Sequence, residues 1–117
     1  MDYFVSQMLN DALKQVKSND DASSLAHAVL QLSERKEEDC LWANAEHRVL
    51  TAMIEETSKT ASKDNFSNIF AMIQGDFESL LNGNQDWLEF KDSTTEHFRR
   101  CAVTGLETRL GSLRLYS

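Results

Sequence analysis

Not one proline occurs in the 117 residues of this chain. Ordinary usage of about 5% would supply roughly six. Proline is the residue a helix interior tolerates least, because its ring clashes with the preceding turn and it lacks the N–H that a helix needs. A chain without it is free to run in long helices, and the spacing of its apolar residues points the same way. With 41% apolar residues, the length holds one core and no second. The expected fold is all-α, a compact bundle of four to five helices without a sheet, in a single domain over residues 1–117.

Residues 3–17 carry the cleanest period. Val5, Met8, Leu9, Ala12, Leu13 and Val16 fall in one stripe, with Asn10, Asp11, Lys14 and Lys17 on the opposite face. Ser18-Asn19-Asp20-Asp21 makes a turn that also caps the next helix. From Ala22 to about Lys59 the helical pattern continues. Leu25, Ala26, Val29 and Leu32 form one stripe, and Trp42, Ala45, Val49, Ala52 and Met53 another. Between them, residues 33–39 have no apolar side chain. A single helix of about 38 residues would extend roughly 60 Å and imply a hairpin-like dimer. A turn capped by Asp39 is the favoured alternative. After a polar connection at 57–63, Asp64 can cap a third helix through Phe66, Ile69, Phe70, Ile73, Phe77, Leu80 and Leu81. That helix tolerates Gly75 inside it and ends at Gly83 in a left-handed cap. Residues 85–92 read as a short helix entering the last one. Ser93 or Thr94 caps the final helix, whose stripe is Phe98, Cys101, Ala102, Gly105, Leu106 and Leu110, and Gly111 terminates it. The apolar tail 112–117 packs back on the domain or meets a partner.

Charge narrows the function. The net charge of −7 is unevenly spread. Residues 93–117 hold Arg99, Arg100, Arg109 and Arg114 against Glu96 and Glu107, net +2, which leaves −9 for the first 92. An acidic balance speaks against direct nucleic-acid binding, which needs a basic face. No apolar run nears the about 18 residues of a spanning helix, and the start Met1-Asp2-Tyr3-Phe4 lacks a secretory pattern, so no membrane contact and a cytoplasmic location are expected. Cys40 and Cys101 then read as buried, reduced thiols.

Catalytic constellations are missing. No cysteine pair has zinc-ligand spacing. The Glu-x-x-His pairs of a di-metal bundle are absent, since Asn44 precedes His47 and Thr94 precedes His97 by three. Glu34, Glu37 and Glu38 cluster, but a facing set of carboxylates for magnesium is lacking. The glycines at 75, 83, 105 and 111 form no phosphate loop. No catalytic residue, metal or cofactor is therefore assigned. Leu25-Ala26-His27-Ala28-Val29-Leu30 has the outline of a phosphotransfer histidine motif, yet Leu30 stands where a lysine is wanted and Gln31 where a small residue is.

What remains concerns surfaces. Trp87-Leu88-Glu89-Phe90 sets three large apolar side chains about 100° apart in turn, more than one helix face buries. Trp and Arg are enriched at binding hot spots. Trp87, Phe90, Arg99 and Arg100 are accordingly the candidate partner-binding residues, at a protein partner or a dimer contact, and the chain is expected to form a homodimer. The expected function is a non-enzymatic interaction factor: an adaptor, inhibitor or chaperone-like protein. Two alternatives stand beside it, a phosphorelay domain using His27 and an acidic nucleic-acid mimic.

Overall fold

The computed structural model describes residues 3–32, 40–59 and 66–113. All regular structure among them is helical: α1 (Tyr3–Lys14), α2 (Asn19–Leu32), α3 (Cys40–Ser58), α4 (Ser67–Gln74), α5 (Phe77–Leu80), α6 (Gln85–Ser93) and α7 (Glu96–Ser112). The expected turn at 33–39 with Asp39, the Asp64 cap, the side chains of Cys40 and Trp42, and the tail beyond Leu113 lie outside the described residues.

The all-helical class is as expected; the count of four to five is not. The third predicted helix is two, because Gly75 has little helix propensity and Asp76 after it is a good N-cap. The Asp76 carboxylate accepts from the backbone N–H of Ser79 at 3.3 Å and from its hydroxyl at 2.7 Å, and so starts α5. One consequence is that Leu80, which the apolar spacing set in one continuous third helix, is 54% exposed on α5.

Other boundaries have equally local causes. Ser18 Oγ accepts from the N–H of Asp21, and the Asp21 carboxylate accepts from the N–H of Lys17, the residue before the cap; together these bonds start α2. Asn84 caps α6 through the N–H of Trp87 at 3.0 Å. Thr95, rather than Ser93 or Thr94, caps α7, accepting from the N–H of Phe98 at 3.1 Å. Gly83 adopts no left-handed conformation, and Gly111 lies within α7 instead of ending it.

Helix α3 is the centre. From Ala45 to Ile54 only His47 and Arg48 escape burial. A helix apolar on nearly all sides has to be wrapped by others, and α1, α2, α4, α6 and α7 all pack on it. The most extensive contact is with α2. Helices α2 and α3 thus lie side by side, not end to end in one rod. On α1, Leu9 and Leu13 are buried but Met8 is exposed. Asn10, expected to face solvent, instead takes the N–H of Phe66 on its Oδ1 at 2.6 Å, joining α1 to the start of α4.

The glycine in the buried stripe of α7 also has a reason. A Cβ on Gly105 would sit 3.4 Å from the carboxyl carbon of Glu46. Glu46, 1% exposed, meets Arg109, 4% exposed, at 3.0 Å. Arg109 also donates to the carbonyl of Leu30 in the last turn of α2, at 3.1 Å. This buried pair joins α2, α3 and α7 at one point.

Candidate interaction surface

The four residues singled out for partner binding fall into two groups. Trp87 and Phe90 are inside the protein, 2% and 3% exposed. Phe77 stands edge-on to Trp87 with ring centres 5.7 Å apart, Trp87 is 6.0 Å from Phe90, and Phe90 is 6.3 Å from Phe98. The short helix α6 is wedged into the fold, so two of its three large apolar side chains are enclosed. Leu88 turns outward instead. Arg48 closes the row, with its guanidinium carbon 5.3 Å from the centre of the Phe90 ring.

Arg99 and Arg100 do reach an open surface. With Glu96, Val103 and Thr104 they form one wall of a cleft of about 270 Å³. The opposite wall is Gly75, Asp76, Phe77 and Glu78, where α4 gives way to α5. The aromatic row lies behind this cleft, since Phe77 belongs to both. Trp87 and Phe90 support the surface rather than present it.

The two arginines have different duties. Arg99 donates through Nη1 to the carbonyl of Thr94 at 2.7 Å and the carbonyl of Lys91 at 2.9 Å. Those carbonyls belong to the end of α6, where a cation satisfies orphan acceptors and complements the dipole. Arg99 is therefore committed to the α6–α7 corner. Arg100 pairs with Glu96 one turn away at 2.8 Å, both side chains more than 70% exposed. An exposed pair of this kind contributes under about 1 kcal/mol, so its partner can be exchanged.

A second concavity of about 140 Å³ is lined by Asn19, Ser23, His47, Arg48, Thr51 and Asp86. Serine, histidine and aspartate together invite a nucleophile reading, which the hydrogen bonding opposes. His47 Nε2 lies 3.0 Å from the Ser23 carbonyl and 3.3 Å from the Ser23 hydroxyl. A carbonyl only accepts, so Nε2 carries a proton and is not the base that would activate Ser23. His27 is exposed on α2, its ring edge-on to His47 with centres 6.4 Å apart.

Beside this concavity the N-termini of α2 and α6 meet the C-terminal part of α3. Asn19 Nδ2 donates to the Asp86 carboxylate, and Asn84 Nδ2 donates to Glu56 at 2.9 Å and Glu55 at 3.4 Å. Burial, then the hydrogen-bonded carboxyl of Asp86, push the Glu55 carboxyl above its usual range, against opposing bonds from Asn19 and Asn84. No group of three or more metal-ligating side chains assembles among the described residues. No helix among them is long and apolar enough to cross a membrane.

The residues that the sequence reading missed are the wall from Gly75 to Glu78. Its signal was present in Gly75-Asp76, a helix breaker followed by a cap. Comparisons with family models, with curated proteins and with solved structures gave no match.

Proposed function

We propose that the chain is a protein-interaction module that seats a segment of a partner protein in the cleft between the α4–α5 break and α7. Arg100 is its exchangeable anchor. The observation that carries this reading is the exposed Arg100–Glu96 pair on the rim of an open cleft. A partner carboxylate gains a guanidinium there at the expense of only a weak surface pair. Phe77 and Val103 supply apolar contact between the charges.

The test is capture of a stoichiometric partner by the wild-type protein and by Arg100→Glu. The charge reversal should weaken binding at least roughly tenfold, the effect of an anchor worth about 1.4 kcal/mol. Lys14→Glu, on α1, should leave it unchanged. A partner held equally by both proteins refutes the cleft. Trp87→Ala and Arg99→Ala are unsuitable probes, since the first opens a core cavity and the second uncaps α6.

The second reading, phosphotransfer through His27, has one observation in its favour: the imidazole is exposed within a helix of a helical domain. Leu30, where a lysine would be wanted, is buried. Incubation with a phosphorylated response-regulator domain should then label the chain with acid-labile phosphohistidine, absent in His27→Gln. Lack of label ends that reading.

A further inference from the structure

We infer that His97 and Cys101 form a two-ligand chelate for a thiophilic, tetrahedral divalent metal ion on the outer side of α7. The spacing of cysteines leaves no zinc centre of the usual paired-cysteine kind; a histidine and a cysteine one helical turn apart are a different ligand set. Residues four apart share a helix face. Here they converge, with Cys101 Sγ 3.7 Å from His97 Nε2. Zinc bonds of about 2.3 Å to sulfur and about 2.0 Å to nitrogen, at a tetrahedral angle, hold those two atoms about 3.5 Å apart. The pair thus stands close to the bite of a single ion before any ion is present.

Access agrees with this geometry. His97 is exposed and Cys101, a free thiol, is half-buried, so both ligand atoms can be reached from solvent. Sulfur and imidazole ligands together favour zinc and its neighbours over magnesium or calcium. On binding, Cys101 exchanges its proton for the metal and releases it to solvent, and the neutral imidazole donates its free lone pair. No third protein ligand converges on the pair among the described residues, so two coordination positions stay open to water.

Cobalt(II) titration of the full chain tests this. The wild type should develop thiolate-to-cobalt charge-transfer absorption, reversed by zinc and stronger as pH rises. Cys40→Ser should keep it, Cys101→Ser should lose it, and His97→Ala should shift the midpoint to higher cobalt concentration. All three changes leave the helical circular dichroism as a check on folding. Absence of the band in the wild type, its survival in Cys101→Ser, or an unchanged midpoint in His97→Ala overturns the chelate.

Discussion

Single side chains carry much of the specificity of this fold, and Glu46 with Arg109 is the clearest case. Both are buried, and each carries the charge that answers the other. Removing one partner, as in Arg109→Met or Glu46→Leu, should cost about 3–5 kcal/mol, whereas the double change to Met and Leu should recover most of it. Urea denaturation of the four proteins checks this. Glu55 gives a pH signature. A carboxyl whose pKa is raised by folding contributes stability that is complete below the ordinary glutamate range and fades as pH rises through the raised value. Glu55→Gln should therefore be more stable than wild type at neutral pH and nearly equal to it in mild acid, by urea midpoints at the two conditions. Apolar positions such as Leu13, Val49 and Leu106 were legible as core from their spacing alone. The buried ion pair was not, because a Glu and an Arg 63 positions apart in the chain share no local pattern.

At the level of elements, the hydrophobic period located the main helices, and the caps decided how many there are. Asn84 shows how much one cap holds: it starts α6 and binds two glutamates of α3. Asn84→Ala should cost about 1–2 kcal/mol in thermal or urea unfolding. Gly111 gives the opposite sign. It is helical and exposed, and an added Cβ would meet only Phe70 at an ordinary 3.8 Å. Gly111→Ala should stabilise by up to about 1 kcal/mol. The candidate surface was half legible for the same reason. Periodicity could not tell a wedged α6 from a half-exposed one, since that depends on which neighbours close over it. Trp87 and Phe90 were therefore placed on the wrong side of the surface, and Arg99 and Arg100 on its rim.

For the molecule as a whole, the radius of gyration is 13.1 Å and the extents are 37 × 33 × 25 Å. A compact domain of this length is expected near 13 Å. In this packing α2 and α3 lie side by side, and Trp87 and Phe90 are inside. The large apolar side chains that stay exposed among the described residues are Met8, Leu80 and Leu88. The charge polarity read from the sequence is also redistributed. Of the arginines in the last helix, Arg109 is buried and Arg99 is bound to backbone carbonyls, which leaves Arg100 as the available cation on α7.

The tie between Asn10 and Phe66 has a consequence for the order in which the molecule comes apart. Of the helices packed on α3, α1 makes the slightest contact. Besides the buried Leu9 and Leu13 and the flanking Val5 and Ala12, it is tied down by a hydrogen bond that closes a loop of more than fifty residues. Segments with few buried contacts open at a lower free energy than the global transition. Amide protons of α1 should thus exchange with deuterium well before those of α3. Asn10→Ala should hasten exchange in α1 and at Phe66 while leaving the protection of Val49 to Ile54 unchanged.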